Sequence, residues 1–457
     1  MLFTICELSR QIRDRSISPV ELTQNCLVLI EKFNPTLNAY ITVNGQSALD
    51  QARRAEREIF GGSYRGPLHG IPIGLKDILD TAGVRTTAAS ALFKDRIPTE
   101  DAEVVHRLRN AGAVILGKQN LHEFAYGGSS MISFFGEVHN PWDTTCIAGG
   151  SSGGSAVSVA VALGFAAVGT DTAGSIRLPA SYCGIVGLKP TYGRVSARGV
   201  IPLSPSLDHV GPLTNSAYDA ALMLQVMSSF KSEDACAKPS LLPAADQLPP
   251  HLRIGVPRAF FFDDLHPEIA AAIEKAIELF RGLHAEIREV KLEVPTDRML
   301  ASAEAYAYHK SFVADSPDLY QPATLARIQS GANISADDIL RASSDLEASR
   351  HAIREVFDAV DVLLTPTVPI PPPVIADLQK HPDSLRPQEL TMLRNTRPFN
   401  VWGIPTISMP CGFTRDGLPI GLQLAAAPWR EDVVLQAANA YEQATEWHNK
   451  MPSLANQ

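Results

Sequence analysis

Two glycine-rich turns that carry serines flank one apolar segment of this chain. The first turn, residues 149–154, reads GGSSGG, and the second, Gly174-Ser175, follows further along. Glycine lets the backbone approach a ligand closely and adopt dihedral angles that a Cβ would forbid. Such turns aim hydroxyls and bare N–H groups at one place, which makes their serines candidate nucleophiles.

A lysine at the end of an apolar strand is the second candidate for chemistry. Residues 71–78 are mostly apolar and deliver Lys76 into a place that we expect to be buried. Such a lysine either extends its ammonium group to water or is kept buried by a structural or catalytic role. Burial lowers the lysine pKa from about 10.4, so that a neutral fraction can act as a base. A purely structural role for Lys76 is the alternative interpretation of this stretch.

Other interpretations of the serine-rich run fit the residues less well. Its glycines and serines, and the charges directly after it, oppose a membrane span. Gly-x-Ser-x-Gly occurs twice, centred on Ser151 and on Ser152, but an α/β-hydrolase turn also needs a strand before it and a later acid and histidine. Asp208 and His209 are poor triad partners, because adjacent residues cannot easily act as orienter and base. A flexible linker does not fit the apolar helix that follows.

Elements of an α/β fold must position these groups. The pattern predicts a helix over residues 155–163, a buried strand over 165–169 and a turn over 171–174. Ser175 then lies just past the carboxyl end of a strand, where α/β sheets place their chemistry. A short helix is expected over residues 177–183.

Further elements are predicted near both ends of the chain. Ser18 and Glu21 form a capping box, and Pro19 stands at the first position of the helix that follows. Residues 390–402 are predicted to form one helix. The Pro-, Ala- and Asp-rich residues 231–250 predict a connector.

Composition narrows the class of protein. With 457 residues, 45% hydrophobic and 19% charged, the chain is globular and long enough for a large core. A net charge of −9 without a long basic run argues against direct nucleic-acid binding. The six cysteines lack C-x-x-C spacing, which favours buried free thiols. Glu7 comes too early for a signal-peptide core, so we expect a cytoplasmic protein without a membrane span.

Two further patterns resemble ligand sites without completing them. Residues 112–118 fit G-x-x-x-x-G-K, but Gln119 replaces the Ser or Thr that would meet magnesium, and the run is typical of a buried strand. His122, Glu123 and His139 have no metal-ligand spacing. We therefore expect neither a phosphate loop nor a metal site.

Three segments together resemble the amidase signature family: GLKD at 74–77, GGSSGGSA at 149–156 and DTAGSIRLPAS at 171–181. Supporting segments extend the resemblance over most of the chain: GLKPTYGRVS at 187–196, DHVGP at 208–212, LLTPT at 363–367 and GLPIGLQL at 417–424. Each segment alone is insufficient. Their order, and the interval between Ser151 and Ser175, make the match specific.

The resemblance implies a catalytic triad and a mechanism. Ser175 is then the nucleophile, Ser151 the bridging serine on a cis peptide, and Lys76 the base. Neutral Lys76 accepts a proton relayed through Ser151 while Ser175 attacks an amide carbonyl, and water later hydrolyses the acyl-enzyme. No metal ion and no organic cofactor is required.

The resemblance also assigns supporting roles around the second turn. The N–H groups of four consecutive residues resemble the family's oxyanion hole: Thr172, Ala173, Gly174 and Ser175. Ala173 stands where many members have glycine, which is tolerable if its φ is negative. Structural support is expected from Asp171, Arg177 and Ser152.

The family's fold is a large mixed, twisted β-sheet covered by α-helices on both sides, so the expected fold class is α/β. One domain would span residues 1–457. We expect four parts within it: an N-terminal helical layer (1–65), the catalytic core (66–215), a variable helical cap (216–360) and the C-terminal part of the core (361–457).

The substrate is less determined than the chemistry. The resemblance places the pocket beside Tyr126, Gly128 and Ser129 and near residues 397–404. Aromatic residues in these regions suggest an apolar cavity: Phe124, Tyr126, Phe399 and Trp402. The expected partner is a small-molecule aliphatic or aryl amide, and a homodimer is one option for assembly.

Three other functions stay open beside an independent amidase. One is the glutamine-amidase subunit of a tRNA-dependent amidotransferase, although Arg430 stands where such subunits usually carry an acid for the glutamine ammonium. A second is a hydrolase of ureido-type amides such as allophanate or biuret. The third, a scaffold without activity, would predict loss of Lys76, Ser151 or Ser175, and all three are present.

Overall fold

A computed structural model describes residues 4–228 and 248–456. The connector expected over residues 231–250 falls mostly outside these described residues. Eleven strands within them form one mixed sheet in the order β1-β3-β2-β4-β6-β5-β10-β11-β9-β7-β8. The strands are β1 (Tyr40–Val43), β2 (Pro72–Lys76), β3 (Val114–Gln119), β4 (Ala166–Asp171), β5 (Val186–Lys189), β6 (His209–Thr214), β7 (Arg253–Val256), β8 (Glu286–Glu289), β9 (Val362–Pro366), β10 (Thr406–Phe413) and β11 (Pro419–Ala426).

Helices cover this sheet. They are α1 (Ile5–Arg13), α2 (Pro19–Leu37), α3 (Gly45–Phe60), α4 (Glu103–Asn110), α5 (Gly153–Ala160), α6 (Arg177–Cys183), α7 (Ala217–Met227), α8 (Arg258–Phe261), α9 (Pro267–Gly282), α10 (Met299–Asp315), α11 (Pro322–Gln329), α12 (Ala336–Ala359), α13 (Ile375–Lys380), α14 (Pro382–Met392), α15 (Pro398–Val401) and α16 (Glu431–Gln443). None of the helices described here has both the length and the apolarity needed to cross a bilayer. The predicted α/β class with a large mixed sheet is confirmed.

The strands that carry the predicted chemistry are neighbours in the sheet. β2 lies between β3 and β4 and runs parallel to both. Every residue of β2 and of β4 is buried, as is usual for parallel strands covered on both faces. Because parallel strands end at the same edge, Lys76 and Asp171 come to one side of the sheet.

Local sequence signals account for several elements. Ser18 accepts the N–H groups of Val20 and Glu21, and Glu21 accepts the N–H of Ser18, so the predicted capping box is present at the start of α2. The helix runs from Pro19 to Leu37. The short helix predicted over residues 177–183 is α6, with the predicted bounds.

The single helix predicted over residues 390–402 is wrong. The chain leaves α14 after Met392 and re-enters a helical turn at Pro398. Between them, Asn395 donates its side-chain N–H to the carbonyl of Phe261, at 2.9 Å. Thr396 donates its hydroxyl to the carbonyl of Ala173, at 2.6 Å. These tertiary hydrogen bonds compete with a continuous helix and tie the break to the second serine turn.

Candidate active site

Lys76 is the last residue of β2 and is fully buried. Its Nζ donates to the Oγ of Ser151 and to the Oγ1 of Thr170, both at 2.8 Å. Burial lowers the pKa of Lys76 to about 7, and the charges of Asp171 and Asp208 oppose that shift. A lysine that titrates near neutral pH can accept and return a proton within one reaction cycle.

Ser151 follows a cis peptide bond from Gly150, the geometry that the resemblance implies for this residue. Its carbonyl accepts the backbone N–H of His122 at 3.1 Å and the hydroxyl of Ser130 at 3.3 Å. The side chain is buried and its Oγ contacts Lys76. Hydrogen bonds from His122 and Ser130 thus fix the backbone of Ser151, while the Ser151 hydroxyl contacts Lys76.

Ser152 connects the first turn to the second. Its backbone N–H donates to the carbonyl of Ser175, and its hydroxyl donates to the carbonyl of Thr170, each at 3.2 Å. The side chain is fully buried and does not line the cavity described below. This placement suits the structural role expected for Ser152.

The second turn requires glycine at position 174. Gly174 has a φ of +135°, and a Cβ built there would lie 2.1 Å from the Oγ1 of Thr396. That hydroxyl is itself fixed, because it donates to the carbonyl of Ala173. The turn is therefore closely packed on the side of Thr396, while Ser175 keeps 5% of its surface exposed and lines a cavity.

The four N–H groups expected to form an oxyanion hole are not equivalent. The N–H of Gly174 donates to Oδ1 of Asp171 at 2.7 Å and is therefore already used. Within the described residues, the N–H groups of Thr172, Ala173 and Ser175 have no acceptor. Ala173 has a negative φ, so the alanine is accommodated without strain. Three donors of the four expected ones thus remain for a substrate oxygen.

A buried ion pair holds the start of α6 against β4. Nε and Nη2 of Arg177 each lie 3.0 Å from a carboxylate oxygen of Asp171. Nη1 of Arg177 donates to the carbonyl of Thr396 at 2.8 Å and Nη2 to the Oδ1 of Asn400 at 2.6 Å. Burial alone would raise the pKa of Asp171, but the Arg177 guanidinium holds it well below its usual range.

A cavity of about 60 Å³ lies over Ser175. It shares three lining residues with a larger cleft of about 640 Å³: Leu207, Ala301 and Arg397. Ser175 does not line that larger cleft, so the smaller cavity is the candidate reaction site. Its lining residues are Ala125, Tyr126, Gly127, Thr172, Ala173, Ser175, Leu203, Leu207, Arg298, Ala301, Ser302, Arg386, Leu393 and Arg397.

The lining of this cavity is basic rather than aromatic. Of the four aromatic residues expected there, only Tyr126 lines it, because Phe124 and Phe399 are packed in hydrophobic clusters and Trp402 lines the larger cleft. Three arginines line it, and no Asp or Glu is among its described lining residues. Arg397 lies in the region that the resemblance indicated. Arg298 and Arg386 carried no motif that could have revealed them.

Gly128 and Ser129 lie behind the cavity wall, which differs from the substrate-binding role expected for them. Gly128 packs near Leu393. The Ser129 hydroxyl donates to Oε1 of Glu389 at 2.8 Å, and Oε2 of Glu389 pairs with Arg327 at the same distance. The hydroxyl of Ser129 is therefore occupied within the protein. Its neighbour in the loop, Tyr126, is the residue that reaches the cavity.

Asp208 and His209 support the site from the start of β6. Asp208 accepts the hydroxyl of Thr172 at 2.6 Å, and burial raises the pKa of Asp208 to about 6. Nδ1 of His209 lies 2.6 Å from the carbonyl of Leu207, and burial lowers the pKa of this imidazole well below its usual value. This geometry is not that of a Ser-His-Asp triad.

The family model described as Amidase matches residues 21–435 of this chain. The chain is 40% identical to a glutamyl-tRNA(Gln) amidotransferase subunit from Geotalea daltonii, with 99% of each chain covered. It is 38% identical to a protein named amidase from Pseudomonas putida, covering 99% of this chain and 98% of that one. The solved structure of 6-aminohexanoate cyclic dimer hydrolase with its substrate superimposes with a TM-score of 0.89 at 30% identity, over 100% and 99% of the two chains.

Fold and sequence together define the class as hydrolases that act on amide C–N bonds. Within that class, the chain belongs to the amidase signature family, as its motifs predicted.

Proposed function

We propose that this protein is an independent amidase that hydrolyses a small carboxylic amide to an acid and ammonia or an amine. The observation that carries the proposal is the 2.8 Å contact between Nζ of Lys76 and Oγ of Ser151. It joins a lysine whose pKa lies near 7 to the turn that is hydrogen-bonded to Ser175. Such an arrangement supports a proton relay that activates a serine nucleophile.

In the first half-reaction, neutral Lys76 takes the proton of the Ser151 hydroxyl. Ser151 takes the proton of Ser175, whose Oγ bonds to the amide carbon. The carbonyl electron pair moves onto the oxygen, where the N–H groups of Thr172, Ala173 and Ser175 can stabilise it. When the C–N bond breaks, the relay runs backwards and the proton leaves on the amine. Water then attacks the ester at Ser175, and the same relay takes and returns its proton.

Supporting groups keep the relay in place without touching substrate in this proposal. Asp171 and Arg177 fix the second turn, and Ser152 joins it to the first. Asp208 holds the Thr172 hydroxyl. The loop that bears Tyr126 is held by Ser129 through its hydrogen bond to Glu389.

The glutamine-amidase subunit of an amidotransferase is the second candidate, and the name of the Geotalea daltonii relative favours it. Two observations weigh against it for this chain. Arg430 pairs with Asp432 at 3.0 Å and lines a different cavity from Ser175. Among the described residues that line the Ser175 cavity, no carboxylate is available for the ammonium group of glutamine. Hydrolysis of a ureido-type amide is a third candidate that uses the same relay.

The test is ammonia release by the purified protein from aliphatic amides, aryl amides, ureido compounds and glutamine, with Ser175→Ala as the control. We expect release from a simple amide that Ser175→Ala abolishes. Release from glutamine alone would favour the amidotransferase role instead. No release from any compound by the protein alone would contradict an independent amidase.

A further inference from the structure

We propose that the amide hydrolysed at Ser175 carries a carboxylate group, which Arg397 and Arg298 bind inside the same cavity. This inference rests on the proposed function, because it names the substrate class of that site. It commits to an anionic amide without an ammonium group, such as the monoamide of a short dicarboxylic acid.

Arg397 is the first observation behind this inference. Only 6% of its surface is exposed, and it lines the cavity over Ser175. Its Nη2 donates to the backbone carbonyl of Asp297, but its buried Nη1 has no hydrogen-bond partner within the described residues. A buried donor without an acceptor is costly, and one that is charged costs more. A substrate carboxylate would supply the missing acceptor.

Arg177 is a buried arginine with a structural role, and its hydrogen-bond partners can be compared with those of Arg397. Arg177 is fully buried. Its guanidinium is bound by the carboxylate of Asp171, the amides of Asn400 and Gln423 and the carbonyl of Thr396. Arg397 has no carboxylate partner of this kind within the described part of the chain. The difference between the two residues points to a ligand for Arg397 from outside the chain.

Arg298 adds a second positive charge to the same cavity. No ion pair or hydrogen bond within the described residues occupies its guanidinium. Burial and the charge of Arg386 lower the pKa of Arg298 to about 10. Burial and the charge of Arg298 lower the pKa of Arg397 to about 9, against the opposing charge of Asp297. Both arginines still carry their charge at neutral pH, so their mutual repulsion favours an incoming anion.

Arg386 contributes less to this site. It lies 3.5 Å from Oε2 of Glu389, its side chain is 36% exposed, and its guanidinium lies 5.8 Å from the centre of the Tyr126 ring. Its charge is therefore partly balanced by Glu389 and screened by water. Arg397 and Arg298 remain the two arginines suited to bind a carboxylate, and a guanidinium can bind one in a bidentate manner.

Three probes with the same three-carbon spacer between the amide and the distal carbonyl carbon separate the alternatives. Glutaramate carries an amide and a carboxylate, and 5-oxohexanamide replaces that carboxylate with a neutral methyl ketone. Glutamine adds an ammonium group to glutaramate. We expect kcat/KM for glutaramate to exceed that for each of the other two by about 10- to 100-fold, the range for one hydrogen-bonded charge.

Substitution of Arg397 tests the contact itself. Arg397→Gln is expected to lower kcat/KM for glutaramate about 10- to 100-fold, mainly through KM, and to leave 5-oxohexanamide within about threefold. Arg397→Lys should restore part of the loss, because a lysine keeps the charge but not the bidentate geometry. Arg298→Gln should shift the same two substrates in the same direction. The matched control is Arg394→Gln, since Arg394 donates to the carbonyl of Asp263 and does not line the cavity.

Two results would overturn the inference: equal kcat/KM for glutaramate and 5-oxohexanamide, or equal losses for both in Arg397→Gln. Calorimetric binding of glutaramate to Ser175→Ala separates this inference from the proposed function. Binding that Arg397→Gln abolishes would support the carboxylate site even if the wild type released no ammonia. Absence of glutaramate binding to a folded Ser175→Ala protein would count against the carboxylate site, whatever the wild type hydrolyses. Thermal unfolding of each variant establishes that it is folded.

Discussion

The backbone N–H of Ser152 donates to the carbonyl of Ser175 at 3.2 Å. This hydrogen bond joins two turns that are separated by helix α5 and strand β4. The adjacent residue of the first turn, Ser151, contacts Lys76, so one backbone contact couples the lysine side of the site to the serine that lines the cavity. Movement of either turn would misalign the proposed relay.

Removal of the proposed nucleophile should abolish turnover without unfolding the protein. Ser175→Ala is expected to lower kcat at least about 1,000-fold, because no other group forms the acyl-enzyme. The Ser175 side chain borders a cavity, so the midpoint of thermal unfolding should stay nearly unchanged. Ser181→Ala is the matched control, since Ser181 is buried in α6, its hydroxyl has no hydrogen-bond partner within the described residues, and it does not line the cavity. Comparable activity of Ser175→Ala and Ser181→Ala would contradict the mechanism.

The rate should depend on pH through Lys76. Only the neutral amine can accept a proton, and burial lowers its pKa from 10.5 to about 7. We therefore expect kcat/KM to fall about tenfold per pH unit below pH 7 and to reach a plateau above about pH 8. Initial rates in buffers of constant ionic strength measure this profile. A profile that is flat between about pH 5 and pH 9 would exclude Lys76 as the base.

The buried pair between Asp171 and Arg177 should contribute strongly to folding. Asp171→Asn leaves the Arg177 charge buried without a carboxylate, which costs about 3–5 kcal/mol of the free energy of unfolding. Asp361→Asn is the control, because Asp361 pairs with Arg253 at a site where both side chains are about one-third exposed. Urea denaturation compares the two variants. Equal losses in both would contradict a dominant role for the buried pair.

The Asp171 pair also predicts a direction for acid sensitivity. The pKa of Asp171 is lower in the folded protein than in the unfolded chain, so its contribution is present above the unfolded pKa. It is lost as pH falls below about 4. Asp171→Asn should therefore flatten the dependence of unfolding free energy on pH in that acidic range. An unchanged dependence would show that other carboxylates account for acid unfolding.

Gly174 should tolerate no side chain. Gly174→Ala combines a φ of +135° with a Cβ placed 2.1 Å from Oγ1 of Thr396, and we expect it to lose activity and about 2–4 kcal/mol of stability. Gly193→Ala isolates the backbone contribution, because Gly193 has a φ of +79° and open space around its Cβ position. That control should cost about 1 kcal/mol. If the two variants were equally stable, the contact with Thr396 would be of no consequence.

Local signals in the sequence predicted the parts of the site that lie on single elements. An apolar strand ending in Lys76, and a glycine before Ser175, are visible in short segments because burial and turn geometry constrain adjacent residues. The capping box at Ser18 is of the same kind. The family resemblance then supplied the roles that spacing alone left open.

The basic lining of the cavity could not be predicted in this way. Arg298 precedes α10, Arg386 lies in α14, and Arg397 lies in the break before α15. Arg397 follows Asn395 and Thr396, whose tertiary hydrogen bonds hold the break in the helix expected over residues 390–402. Aromatic residues in the expected pocket regions suggested an apolar cavity, but Phe124 and Phe399 are packed in hydrophobic clusters of the core. Tertiary packing decides which side chains line the cavity, and patterns in short sequence segments do not predict that packing.

The proposed relay and the arginines of the cavity come from separate stretches of chain. The proposed relay comes from residues 76–175, on and beside the central strands, whereas the three arginines come from residues 298–397. Substrate preference and bond cleavage can therefore change independently through mutation. A library confined to Arg298, Arg386 and Arg397 should yield variants that accept new amides and keep the same acyl-enzyme chemistry.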